Sequence, residues 1–225
     1  LPRVRALVCL AVLPLTTLVA CGDGPANDLY TYYDDPTSSA RAAATPAPAT
    51  GTPVPTTTSA TPDPVTTVTT AAMSADDLAA EEVQPGPVDP APATTLPDCA
   101  VPLGAGTARE TSWTYSSGAR LTQIVLAGAA APTAVTTARA ALTCKSFRAG
   151  GVAYQIEKTT LAALPGATDQ LSWCASAPGK ATCTVVIATD TLVTAVTVEA
   201  STAARAKSAI ARVAPKAAEA LARGI

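Results

Sequence analysis

The chain has 225 residues, of which 48% are hydrophobic, 4% aromatic and 14% charged, and its formal net charge is −2. It contains no histidine, which excludes Ser-His-Asp and Cys-His nucleophile systems and every His-containing metal site. The low charge also argues against a nucleic-acid binder, which needs a basic stripe.

Arg3 and Arg5 precede an uncharged apolar run from Ala6 to Ala20, the n-region and h-region of an export signal over residues 1–20. As a helix the run spans roughly 22 Å. That is short of the ~30 Å hydrocarbon core of a bilayer, and Pro14 interrupts it. The run closes on Leu18-Val19-Ala20-Cys21, which resembles a bacterial lipobox. The resemblance implies a diacylglyceryl thioether on Cys21, cleavage before it, and a lipoprotein held at the outer face of the cell membrane by its acyl chains.

From Gly22 to Ala72 no helical or strand period persists. The stretch from Arg41 to Ala72 is almost entirely Ala, Thr and Pro, with one acid and one base. Such a segment cannot bury enough apolar area to offset its ordering entropy, so residues 21–72 are expected to form a disordered tether. In polyproline geometry, at ~3.1 Å per residue, it would reach up to ~150 Å. Its threonines and prolines also suit O-glycosylation. Charge is unevenly divided. Residues 21–96 carry ten acids and one base, net −9, whereas residues 97–225 carry seven acids and twelve bases, net +5. The acids Asp76, Asp77, Glu81, Glu82 and Asp89 read either as solvated linker or, with Ser74 as N-cap, as a short helix that docks on the basic domain.

Elements with regular spacing begin later. Thr111–Tyr115 and Leu121–Ala127 read as strands joined by a Ser116-Ser117-Gly118 turn. A helix follows Pro132, with Ala134, Val135, Ala138, Ala141 and Leu142 on one stripe. Val152, Tyr154 and Ile156 mark a half-buried strand, Leu171 and Trp173 another. Ala181–Ala188 and Leu192–Val198 are rich in Val, Ile and Thr, as buried strands are, and Thr189-Asp190-Thr191 connects them. The chain ends in a long helix from Ser201, apolar along Ala203, Ala206, Ile210, Val213, Ala217 and Leu221. Its opposite face carries Arg205, Ser208, Arg212, Lys216, Glu219 and Arg223. Pro215 is expected to kink it or limit its first half. The expected fold over residues 73–225 is α+β: an antiparallel sheet of about five to six strands with two helices on one face.

In an exported domain, Cys99, Cys144, Cys174 and Cys183 are expected to be oxidised. Cys174 and Cys183 bracket a Pro178-Gly179 turn and should face each other across a hairpin. Cys99 then pairs with Cys144. A four-cysteine metal site usually shows two close Cys pairs, and none is present, so neither a metal nor a cofactor is expected.

Three pieces resemble the extracellular sensor domains of mycobacterial receptor serine/threonine kinases, the PknH-like family. They are Ser74-Ala75-Asp76-Asp77-Leu78, Pro97-Asp98-Cys99-Ala100 and Ala141-Leu142-Thr143-Cys144. The LPGATD turn (Leu164 to Asp169), Thr189-Asp190-Thr191 and the final helix stand in corresponding places, although both turns depart from the family's pattern. The layout as a whole is similar to actinobacterial lipoproteins that carry such an outer domain. The resemblance implies a non-catalytic sensing or ligand-capturing domain with a cleft over the sheet. Trp113, Tyr115, Tyr154 and Trp173, the large aromatics on strands, are the candidate cleft residues. Two other classes remain open. One is an envelope interaction protein whose basic final helix binds an acidic partner or cell-wall polymer. The other is a carboxylate hydrolase using Glu110, Glu157 or Asp169.

Overall fold

The structure, a computed structural model, describes residues 62–225. The expected signal, the lipidation site Cys21 and the tether as far as residue 61 lie outside the described residues. The elements in chain order are α1 (Pro64–Thr70), β1 (Val83–Asp89), β2 (Thr107–Tyr115), β3 (Arg120–Ala127), α2 (Ala131–Ala141), β4 (Ser146–Ala149), β5 (Val152–Thr159), β6 (Asp169–Ala177), β7 (Lys180–Ala188), β8 (Leu192–Ala200) and α3 (Ala203–Ala222). All the strands join one antiparallel sheet in the order β1-β2-β3-β8-β7-β6-β5-β4.

The α+β class is as expected, but the sheet has eight strands rather than five or six. Both additional strands are edges. β1 contains Pro85 and Pro87, which lack the N–H a central strand needs, so its sequence reads as linker. It pairs with β2 through a bulge between Pro85 and Val88. There Gly86 lies so close to β2 that a Cβ would sit 2.6 Å from Ser112 Oγ. β4 has only four residues, too few for a period to show.

The helices do not share one face, which corrects the expected two-layer packing. α3 and α1 cover the side formed by Leu121, Val125, Cys183, Val185, Ile187, Val196 and Val198. α2 covers the side formed by Ile124, Leu126, Val186, Ala188, Val193 and Ala195. Since successive side chains of a strand point to opposite faces, the runs Ile124-Val125-Leu126 and Val185-Val186-Ile187 can only be buried if both faces are covered.

The domain also takes in residues ahead of position 73, where it was expected to begin. Asp63 caps α1, its carboxylate accepting the Thr66 N–H at 3.0 Å, and Pro64 takes the first helical position, where it loses nothing. Val68, Ala71 and Ala72 are buried, so residues 64–72 are part of the core and not tether. A fully buried Gln123 then fixes the chain that follows: its Oε1 accepts the Met73 N–H at 2.7 Å and its Nε2 donates to Thr194 Oγ1 at 3.2 Å. The C-terminus lies against the same helix, since a Cβ on Gly224 would meet Ala71 Cβ and Leu192 Cδ1 at 2.8 Å.

The acidic segment forms no α-helix. Ser74 and Asp77 exchange hydrogen bonds, Ser74 N–H to Asp77 Oδ2 at 2.7 Å and Asp77 N–H to Ser74 Oγ at 3.2 Å. After that cap come a turn and a single 3₁₀ turn, Ala79–Glu81, closed by left-handed Glu82. Docking on the basic helix does occur: Asp77 pairs with Arg223 at 2.7 Å and Glu81 with Arg212 at 2.9 Å. α3 runs unbroken through Pro215. The carbonyl that loses its bond belongs to Ala211, an exposed residue whose oxygen water can satisfy.

Candidate functional site

The strand registers produce ladders across the α2 side of the sheet. Glu110, Ile124, Ala195 and Val186 are mutual neighbours, as are Ser112, Thr122, Thr197 and Thr184, and then Thr114, Arg120, Glu199 and Thr182. Moving along the strands, this face therefore changes from apolar to polar. α2 packs on the apolar half through Ala134, Val135, Ala138 and Leu142. No helix covers the polar half, and a cleft of about 260 Å³ opens over it. The α3 side has no such change: Ala181, Cys183, Val185 and Ile187 are apolar along the whole of β7, and a long helix covers it.

Threonines 122, 182, 184 and 197 form the cleft floor. The Thr184 and Thr197 hydroxyls bond each other at 3.0 Å, while the Thr182 hydroxyl is buried with no protein partner. One wall is the segment Leu96–Asp98. Another is made by Phe147 and Tyr154, whose rings stack with centroids 5.1 Å apart. The Cys99–Cys144 disulfide, with Cα atoms 5.8 Å apart, ties the first wall to the base of the second. Asp98 is buried beside it and accepts the Trp173 Nε1–H at 2.5 Å. Burial pushes the Asp98 carboxyl up, with the Trp173 and Thr184 hydrogen bonds opposing that shift. Burial and the nearby Asp89 charge raise Glu110 as well, against Arg120. Among the lining residues Asp98, Glu110 and Glu199 are acidic and Arg120 alone is basic, with Glu199 also paired to Lys180 at 3.5 Å, so the lining favours neutral or cationic ligands over anions.

The four candidate aromatics are not brought together. Tyr154 lines the cleft. Trp173 is fully buried beneath the wall and acts through its indole N–H on Asp98. Trp113 and Tyr115 lie on the α3 side, Trp113 in the core and Tyr115 partly buried, with its hydroxyl 3.4 Å from Glu81 Oε2. Burial and the Glu81 charge push the Tyr115 phenol up to about 12. Asp98, Phe147 and the threonines were not singled out from the sequence. The signal available was the pair Thr182 and Thr184 on one face of an otherwise apolar strand. The acids considered for hydrolysis are dispersed: Glu157 pairs with Lys207 at 3.0 Å, Asp169 with Arg139 at 3.0 Å, and Glu110 sits at the cleft. Both disulfides join the expected partners, Cys99 with Cys144 and Cys174 with Cys183, the latter directly opposite each other on β6 and β7.

The crystal structure of the extracellular domain of PknH from Mycobacterium tuberculosis superposes with a TM-score of 0.51 at 13% identity, over 73% of this chain and 97% of that one. The fold is that of the PknH extracellular domain. No protein-family model and no curated protein matches the chain. The similarity to PknH thus lies in the path of the backbone, with side chains largely replaced. Among the described residues no helix is long and apolar enough to cross a membrane.

Proposed function

We propose that the chain is an extracytoplasmic lipoprotein, anchored through Cys21, whose domain binds a small neutral or cationic ligand in the threonine-floored cleft without catalysing a reaction on it. The observation that carries this reading is the half-covered face. Where α2 stops, the sheet is left with a polar, walled cleft floored by Thr122, Thr182, Thr184 and Thr197. At about 260 Å³ the cleft suits a ligand of monosaccharide size, just below the ~300 Å³ at which drug-sized pockets begin. The stacked Phe147 and Tyr154 give such a ligand an apolar wall and the threonines give it donors and acceptors. The PknH-like fold and the two disulfides support an extracytoplasmic setting. Of the acids considered for hydrolysis, Glu157 and Asp169 are each held in an ion pair, with Lys207 and Arg139, and neither lines the cleft.

Native mass spectrometry of the full chain isolated from its own host tests the cleft. The wild type is expected to carry a small molecule that Thr182→Arg, which fills the cleft, displaces. If wild type and variant carry the same species, or neither carries one, the cleft reading fails. Metabolic labelling with palmitate tests the anchor separately: label and membrane association should both disappear in Cys21→Ala.

A further inference from the structure

A second cleft, of about 430 Å³, lies on the opposite face, between α3, the β2–β3 turn and the β6–β7 turn. We infer that it is a binding site for a phosphate-type oxyanion. Arg205, Ser208 and Arg212 follow one another at spacings of three and four, so they share one face of α3, Ser201 lies just ahead of its N-cap Thr202, and all four line the cleft. They act in two pairs. Arg205 Nη1 donates to Ser201 Oγ at 3.3 Å and Arg212 Nη1 to Ser208 Oγ at 2.9 Å. Each serine oxygen is thereby used as an acceptor, which leaves its O–H free to donate into the cleft beside the guanidinium.

The surrounding charges keep these donors available. Glu81 binds Arg212 along its Nε and Nη2 edge, at 2.9 to 3.2 Å. It fixes the guanidinium while leaving the Nη1 side to the cleft. Lys180, across the cleft on the β6–β7 turn, is paired with Glu199 at 3.5 Å. Arg205 has no carboxylate partner among the described residues, so it supplies the uncompensated positive charge. Guanidinium and hydroxyl donors that converge from separate directions match a tetrahedral group with several acceptor oxygens, and arginine is the side chain best shaped for it. Glu199 lines both clefts, but here it is paired with Lys180, so Arg205 leaves this cleft basic while the α2-side one is acidic.

Titration calorimetry of the lipid-free full chain at low ionic strength, with inorganic phosphate as the probe, tests the site. A parallel flotation assay uses phosphatidylcholine vesicles with and without phosphatidic acid. Binding of free phosphate that Arg205→Gln weakens at least tenfold supports a soluble oxyanion. Binding only to the phosphatidic acid vesicles, lost in the same variant, supports a lipid headgroup. Ser208→Ala should weaken either one. No binding to either probe overturns the inference. So does binding that Arg139→Gln, a change outside the cleft, weakens as much as Arg205→Gln does.

Discussion

Asp98 shows how one buried side chain holds a cleft wall in place. Its carboxylate sits against the Trp173 indole and carries the segment Leu96–Asp98 to the sheet. Because burial raises its native pKa, the folded protein takes up this proton more readily than the unfolded chain. Stability therefore falls as pH rises from the ordinary carboxylate range through the native pKa. Asp98→Asn keeps an acceptor for the indole and removes the buried charge. Chemical denaturation should find the variant more stable than wild type at neutral pH, with the gap closing in acid. Asp98→Ala strands the indole N–H and should cost about 1–3 kcal/mol in acid, and less at neutral pH, where it also removes the buried charge. The sequence made Trp173 conspicuous as a large aromatic. It could not show the partner, because Asp98 and Trp173 are 75 residues apart and only the tertiary fold brings them into contact.

At the level of elements, those with a clear period were legible and those held by their surroundings were not. The stripe on α3 and the Val, Ile and Thr runs of β7 and β8 gave their positions within a few residues. α1 escaped notice because its composition, PVTTVTT, continues that of the tether before it. Its helix is stabilised by the Asp63 cap and by burial of Val68 rather than by propensity. A chain beginning at Met73 should therefore be less stable than one beginning at residue 62. Val68→Asp should destabilise the longer chain by at least the ~1.5–3 kcal/mol that burying a valine contributes. Thermal unfolding followed by circular dichroism measures both. β1 was hidden for the opposite reason: its prolines signal a loop, and only an edge position with a bulge lets them into a sheet.

For the whole molecule, periodicity told which residues are buried but not which layer buries them. The α2 and α3 stripes look alike in sequence. Their placement on opposite faces follows from strands that are apolar on both sides, a feature visible in Ile124-Val125-Leu126 once the sheet order is known. The cleft is a product of the same arrangement, since it exists only where the shorter helix stops. The staples are divided in the same way, with Cys99–Cys144 at the walls of the α2-side cleft and Cys174–Cys183 under α3. Replacing Cys99 and Cys144 by serine opens a loop of 45 residues, worth about 4 kcal/mol on chain-entropy grounds. The variant should unfold earlier and, on the proposed function, lose any small molecule that copurifies in the cleft.

The first helix gives the domain a defined order of yielding under tension. A pull on the chain ahead of residue 62 meets α1 before it meets any strand. α1 is held by Val68 and its small neighbours, whereas β1 behind it is laced to β2 by backbone hydrogen bonds. Stretching from that end would peel α1 away first and expose the Ala71 and Gly224 contact. The sheet, and with it both clefts, would remain whole until a larger force arrived.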